Sequence, residues 1–153
     1  MGYADATFTN KKDYKSTSNY VFIAQGGVII WRSKKQATIT LSSTKAEYVA
    51  ISESACEACW LRSLYNELGF IQKDPTLIKG DSNGSIVIAK NPQFHKHTKH
   101  IVIRWHWVHD LVRNGILQIG TCRDKDQTID ILTKALPCPK HSQHTFEMGL
   151  SIV

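Results

Sequence analysis

The chain has 153 residues, enough for one domain whose hydrophobic core needs neither disulfides nor a structural metal. Hydrophobic residues make up 42% and charged residues 21% of it, and no apolar run is long enough to span a membrane, so disordered and membrane-spanning classes are excluded. The 19 Lys and Arg against 13 Asp and Glu leave a net charge of +6, which is compatible with a polyanionic partner. Because the N-terminus carries no recognisable secretory leader, we expect an intracellular domain, cytoplasmic or nuclear, without a membrane partner.

The first elements of the chain predict an antiparallel meander. Gly26 and Gly27 form a hairpin signal between two strand-forming runs. The strands predicted before the first helix are a short one at 3–8, then 19–25 and 28–31, with a further candidate at 37–41.

A long helix follows the meander. Thr44 and Glu47 have the spacing of a capping box, and the residues after them are rich in Ala, Glu and Leu as far as Leu68. Gly69 is typical of the residue just past the end of a helix.

The second half of the chain alternates strands with helices. The predicted strands are 76–80 and 116–122, and the predicted helices are 86–90, 101–113 and 126–136, which leaves 137–153 as a C-terminal tail. A meander joined to strand–helix crossover units predicts an α/β fold, a mixed sheet with helices on its faces in a single domain over residues 1–153.

Four acidic residues occupy positions that suggest chemistry. Asp5 interrupts a predicted strand, Asp81 follows the carboxyl end of another, and Glu47 and Asp130 lie near the starts of two helices. Each has a structural alternative. Glu47 can complete the capping box, and Asp81 can cap a helix. Asp130 can be a solvated helix residue, and Asp5 a carboxylate on an edge strand.

These four carboxylates would repel one another if they met, unless cations neutralised them. Clusters of oxygen ligands suit Mg²⁺ or Mn²⁺. Two such ions can stabilise the attacking and leaving oxygens of a phosphoryl displacement. Taken together, the four positions suggest a two-metal site for phosphoryl transfer, while the structural alternatives stay open on the pattern alone.

The cysteines and histidines raise a zinc alternative. Cys56 and Cys59 lie three apart in the long helix, but a structural zinc site needs four ligands and no second pair stands at finger-like spacing. Buried free thiols are the other reading of these cysteines. A second group of candidate ligands consists of His95, His97, His100, His106 and His109.

Seven motifs follow one another in the order of a known family. They are Tyr3-Ala4-Asp5-Ala6, Lys15-Ser16-Thr17-Ser18-Asn19-Tyr20, Trp31-Arg32-Ser33-Lys34-Lys35-Gln36, Leu41-Ser42-Ser43-Thr44-Lys45-Ala46-Glu47-Tyr48-Val49-Ala50, Ala89-Lys90-Asn91-Pro92, Thr98-Lys99-His100-Ile101 and Asp130-Ile131-Leu132-Thr133-Lys134-Ala135-Leu136-Pro137. Over about residues 2–150, the chain closely resembles the ribonuclease H domain of copia-type retrotransposon Pol polyproteins.

The resemblance implies a five-stranded mixed sheet, three antiparallel strands then parallel ones, with helices on both faces. It implies two-metal cleavage of the RNA strand of RNA–DNA hybrids with two Mg²⁺ ions, for which Mn²⁺ can substitute. Its metal-binding and catalytic carboxylates correspond to Asp5, Glu47, Asp81 and Asp130, with Asp5 bridging both ions. The implied partner is the reverse transcriptase domain of the parent polyprotein, inside a cytoplasmic virus-like particle.

The chain departs from the family pattern at several places. Thr7 and Lys45 stand where acids are usual, Asn19 where glycine is frequent, and Gly84 where glutamine is frequent. Residues 121–127 lack the histidine that cellular relatives place before the last helix.

Contacts to nucleic acid are predicted from position and charge. Basic side chains are suited to phosphates, and small polar groups near the metals to 2′-hydroxyls, although a solvated basic face is the alternative. The candidates are Arg32, Lys34, Lys35, Lys45, Ser82, Asn83, Ser85, Lys96 and Lys99.

Two other functions compete with an active ribonuclease. One is a retrotransposon relic that at most binds nucleic acid, since the chain holds no polymerase or integrase sequence. The other is an integrase-like nuclease, which shares the implied fold but uses three carboxylates on DNA. The presence of all four acids favours the ribonuclease.

Overall fold

The computed structural model describes residues 1–8, 14–40, 42–80, 99–122, 128–133 and 135–150, with 99–102 described by their backbone alone. The described strands are β1 Gly2–Thr7, β2 Thr17–Ala24, β3 Gly27–Lys35, β4 Thr76–Gly80 and β5 Leu117–Thr121. The described helices are α1 Ser43–Glu67, α2 Lys99–Arg113, α3 Asp130–Thr133 and α4 Cys138–Glu147.

The five strands form one mixed sheet in the order β3-β2-β1-β4-β5. β1 and β3 pair antiparallel with β2, whereas β4 pairs parallel with both β1 and β5. This confirms the predicted sheet of three antiparallel strands continued by parallel ones. It also makes β1 the central strand, with a neighbour on each side.

Helices cover both faces of the sheet. Successive strand residues point to opposite faces, so Ala4 of β1 meets one layer and Tyr3 meets the other. Ala4 belongs to the larger core, which α1 and α2 share with the sheet. Tyr3 packs with Val21, Ile129 and Met148 in a second core under α3 and α4. The prediction of helices on both faces is therefore confirmed.

The structure corrects several predicted boundaries. β3 continues to Lys35 instead of ending at 31, because its whole length pairs with β2. Residues 37–40 form no strand, so the strand predicted at 37–41 is wrong over its described part. Helix α4 lies within the stretch that was predicted to be a tail. The last predicted helix, 126–136, is too long, because 128–129 form a turn and 135–136 are not helical. Its residues 126–127 and 134, and the whole helix predicted at 86–90, lie outside the described residues.

Candidate active site

Asp5 lies near the carboxyl end of the central strand. It shares the face of Tyr3, on the side of α3 and α4, because side chains alternate along a strand. Its carboxylate-bearing side chain is only 5% exposed. Carboxylates are disfavoured inside strands, so the position is unusual for a residue with a purely structural role. The edge-strand alternative for Asp5 is wrong, since β1 is central.

Glu47 reaches the same end of β1 from the opposite face. Its Oε2 accepts a hydrogen bond of 3.1 Å from the backbone N–H of Ala6, the residue after Asp5. Glu47 is 9% exposed and lies in the second turn of α1. The capping-box interpretation is wrong, because Ser42 caps the helix by accepting from Lys45 N at 3.3 Å. With the cap at Ser42, Glu47 faces the sheet from the second turn of the helix.

Asp130 is the first residue of α3 and is 6% exposed. The flanking Ile129 and Ile131 pack in the second core, against the same face of the sheet from which Asp5 projects. Helix α3 also contacts β1 directly. The prediction that Asp130 begins a helix is confirmed, and the solvated-acid alternative is wrong because the residue is buried.

Asp81, the fourth predicted carboxylate, lies outside the described residues. It follows Gly80, which is paired in register with Ala4, the residue before Asp5. Within the part of the chain that the structure describes, no three His, Cys, Asp or Glu side chains are arranged to hold a metal ion. The predicted metal site, whose fourth member is Asp81, therefore stays a prediction.

Asn19 is a buried polar residue that sequence reasoning did not connect with the site. It is the register partner of Asp5 across the β1–β2 pair and is 1% exposed. Its Nδ2 donates to Thr17 O at 3.4 Å, while Oδ1 has no hydrogen-bond partner in the described structure. Only the register links Asn19 to Asp5, and the register was not available from composition or periodicity.

A second missed feature ties α4 to the segment that carries Asp130. Glu147 Oε2 accepts from Thr128 Oγ1 at 3.0 Å and lies 2.9 Å from Nδ1 of the buried His144. Burial opposes the ionisation of Glu147, but hydrogen bonds with His144, Gln143 and Thr128 outweigh it and hold the pKa of this carboxyl below its usual value. Since Thr128 is two residues from Asp130, this network fixes the approach to α3.

The predicted phosphate ligands on β3 are exposed, but they differ in their surroundings. Arg32 hydrogen-bonds the hydroxyl of Tyr20, which donates in turn to Glu57 Oε2 at 2.6 Å. Burial, followed by the bond to Glu57, raises the pKa of Tyr20 to about 12. Arg32 is thus held by internal contacts, and Lys34 and Lys35 follow it at the exposed end of the strand.

The other predicted nucleic-acid ligands fall in different parts of the chain. Lys45 is half-buried in the first turn of α1. Lys99 begins α2, but its side chain is not described. The remaining candidates lie outside the described residues, namely Ser82, Asn83, Ser85 and Lys96.

None of the four cysteines forms a disulfide, and none is fully buried, because Cys56 and Cys138 are exposed and Cys59 and Cys122 are half-buried. The interpretation of these residues as buried thiols is therefore wrong. Partial burial raises the pKa of both Cys56 and Cys59, so a smaller fraction of each thiol is ionised at neutral pH. His106 and His109 pack against the ring of Trp105. His95 and His97 lie outside the described residues.

Comparison with known proteins identifies the relatives of the chain. It is 38% identical over 137 residues, 89% of its length, to the retrovirus-related Pol polyprotein from transposon TNT 1-94 of Nicotiana tabacum. It is 35% identical over 152 residues, 99% of its length, to the corresponding polyprotein from transposon RE1 of Arabidopsis thaliana. The chain spans about 10% of the length of each of these relatives. No family model matches it.

Comparison with solved structures identifies the fold. The crystal structure of LC11-RNase H1 in complex with an RNA/DNA hybrid matches 82% of this chain and 86% of that one, with a TM-score of 0.59 at 9% sequence identity. The described helices include none that is long and apolar enough to cross a membrane. The predicted ribonuclease H fold and the resemblance to retrotransposon Pol polyproteins are both confirmed.

Proposed function

Since the chain is homologous to part of the Pol polyproteins of copia-type retrotransposons and has the ribonuclease H fold, we propose that it is a metal-dependent ribonuclease. It cleaves the RNA strand of RNA–DNA hybrids by phosphodiester hydrolysis. The observation that carries this proposal is the placement of Asp5, Glu47 and Asp130. All three are buried, and their elements meet at the carboxyl end of the central strand.

The donor chemistry of this site fits hard divalent cations. Asp5, Glu47 and Asp130 offer carboxylate oxygens, the ligands that Mg²⁺ and Mn²⁺ prefer, and Asp81 would complete the set. Burying carboxylates is costly unless cations or hydrogen bonds compensate for their lost hydration. The unpartnered Oδ1 of Asn19, beside Asp5, adds an oxygen acceptor that a hydrated cation would satisfy. When bound, two such cations activate the attacking water and stabilise the departing 3′ oxygen.

The protein's own residues hold the carboxylates in place for this chemistry. The backbone N–H of Ala6 holds Oε2 of Glu47 and so keeps this carboxylate at the end of β1. The Thr128–Glu147–His144 network holds the segment before Asp130 against α4. Because each carboxylate lies on a different element, the fold alone decides their separation, and small displacements of α1 or α3 would disturb it.

The proposed substrate follows from charge and from the structural relative. The net charge of +6 and the exposed Lys34 and Lys35 suit a polyanion. The related LC11-RNase H1 was crystallised with an RNA/DNA hybrid, which supports the same class of substrate here. Lys45, Lys96 and Lys99 are proposed as further phosphate ligands, and Ser82, Asn83 and Ser85 as contacts to ribose hydroxyls.

The proposed setting is that of the parent element. The relatives are polyproteins about ten times longer than the matched segment, so we propose the reverse transcriptase domain of such a polyprotein as the natural partner. The proposed location is the cytoplasm, in a virus-like particle, or the nucleus.

A panel of nucleic acids tests this function. Purified chain is incubated with labelled RNA–DNA hybrid, duplex RNA, single-stranded RNA and duplex DNA, each with Mg²⁺ or with EDTA. We expect loss of only the RNA strand of the hybrid, only with Mg²⁺, and not in an Asp81→Asn variant. Equal cleavage of duplex DNA would indicate an integrase-like nuclease. Intact hybrid with a folded protein would leave an inactive, binding-only relic.

A further inference from the structure

Asn19 is placed by the sheet directly beside Asp5. The two residues are register partners on neighbouring antiparallel strands, so their side chains project from the same face of the sheet. Directly opposed residues in such a pair have Cβ atoms about 4.5–5.5 Å apart. The side chains of Asn19 and Asp5 are therefore direct neighbours on this face of the sheet.

The nitrogen of this amide makes its one hydrogen bond to the backbone, and within the described part of the chain the oxygen is left without a partner. Nδ2 donates to Thr17 O at 3.4 Å, which assigns the nitrogen to that side and leaves Oδ1 as an acceptor. The residue is 1% exposed, and Oδ1 has no partner among the described residues. Buried polar atoms are nearly always hydrogen-bonded, so an orphan of this kind calls for a missing donor.

The described structure has one other buried side-chain polar atom without a hydrogen-bond partner, the hydroxyl oxygen of Tyr48. The Tyr48 hydroxyl lies in the larger core with α1 and α2, near Arg104 and away from the face that carries Asp5. Asn19, in contrast, adjoins the carboxylate that is proposed to bridge two cations.

We propose that Oδ1 of Asn19 is a positioning contact for the divalent cation held by Asp5, and that it accepts a hydrogen bond from the hydration shell of that cation. This inference rests on the proposed function. Because Asn19 is only 1% exposed, its missing donor is a group taken into the site with the cation and not a sugar hydroxyl that approaches from the surface. Mg²⁺ retains several water molecules in protein sites, and such waters are donors of this kind.

Calorimetric titration of the full chain with Mg²⁺ or Mn²⁺, without nucleic acid, tests this role. Asn19→Leu keeps the approximate shape of the side chain but removes the oxygen, and Tyr48→Phe removes the unrelated orphan as a matched control. We expect Asn19→Leu to weaken cation binding about 10–100-fold, as is usual when an outer contact to a metal site is lost. We expect Tyr48→Phe to leave the affinity unchanged.

The outcomes separate this inference from the function on which it rests. A wild-type chain that binds no cation overturns both. Cation binding that is the same in wild type and a folded Asn19→Leu variant overturns the role of Asn19 and leaves the proposed function intact. If Asn19→Leu does not fold, Asn19→Asp decides instead. It keeps the shape and adds a charged oxygen, so binding should tighten about tenfold or more, and unchanged or weaker binding overturns the inference.

Discussion

Glu47 of helix α1 accepts a hydrogen bond from the backbone N–H of Ala6, the residue that follows Asp5 on the central strand, over 3.1 Å. This single contact joins two elements that are far apart in the chain and sets two acidic residues at the same strand end. It also satisfies a buried backbone donor, so Glu47 has a structural role in addition to its proposed metal-binding role.

The two roles of Glu47 can be separated by substitution. Glu47→Gln keeps an oxygen that can accept from Ala6 N but removes the charge, so we expect near-normal stability and at least a 100-fold loss of hybrid cleavage. Glu47→Ala also leaves the Ala6 donor unpaired, which should lower the free energy of unfolding by about 1–3 kcal/mol. Denaturant melts and cleavage rates of both variants check this. Equal stability of the two would contradict the structural role.

The network around Glu147 predicts a pH-dependent contribution to stability. The pKa of Glu147 lies below its ordinary value of 4.5 in the folded protein, despite the opposing effect of burial. A depressed carboxyl pKa stabilises the fold above the ordinary pKa, and this contribution is lost as the pH falls through the folded value. The effect should be small because the Glu147 side chain is 34% exposed.

The measurement is a pair of unfolding titrations, on wild type and Glu147→Gln, between pH 7 and pH 3. We expect the wild type to be more stable at pH 7 and the difference to shrink as the pH falls below about 4.5. A difference that stays constant over this range would show that the charge of Glu147 contributes nothing.

The exposed lysines at the end of β3 predict a salt-sensitive contribution to hybrid binding. Replacing Lys34 and Lys35 together by Ala should weaken binding to all sequences alike and reduce the slope of log K against log salt by about one unit per lysine. Arg32→Ala is a useful comparison, because it also removes the contact with Tyr20 and should therefore lower stability. An unchanged slope of log K against log salt in the double variant would show that these lysines do not contact the hybrid.

Gly149 predicts a steric link between the C-terminal helix and the β2–β3 hairpin. It has φ +70°, and a Cβ added there would collide with the carbonyl oxygen of Gly26. Next to it, Val28 N donates to Met148 O at 3.0 Å, so the two backbones run close together. Gly149→Ala should destabilise the fold by more than about 1 kcal/mol, measured by denaturant unfolding. Gly69→Ala, also at positive φ but with open space around it, is the matched control for conformational strain alone.

Much of the architecture could be predicted because local patterns dominate it. The hairpin at Gly26, with φ 78°, and the end of α1 near Gly69, with φ 84°, follow from the freedom of glycine to adopt positive φ. Asp5 is a candidate from sequence because acids are unusual in the interior of a strand. Asp130 is a candidate because it lies near the start of a predicted helix. These signals depend on near neighbours in the sequence.

The features that escaped prediction depend on contacts between distant residues. The pairing of Asn19 with Asp5 needs the register of β1 and β2, which alternation alone does not define. Helix α4 escapes prediction because Pro137 and Pro139 are typical of the end of a helix, whereas here they stand at the start of one, where proline is tolerated. The N-cap of α1 is Ser42 and not the predicted Thr44, because Ser42, Ser43 and Thr44 are all suitable caps and the sequence does not distinguish them.

The most direct test of the account is a comparison of wild type with Asp5→Asn on an RNA–DNA hybrid whose RNA strand is end-labelled, in Mg²⁺, with folding checked by circular dichroism. We expect the wild type to release RNA fragments with 5′-phosphate and 3′-hydroxyl ends, and Asp5→Asn to fold normally while cleaving at least 100-fold more slowly. Cleavage by Asp5→Asn at the wild-type rate, or an intact hybrid in the presence of folded wild type, would contradict the proposal that the buried carboxylates form a ribonuclease active site.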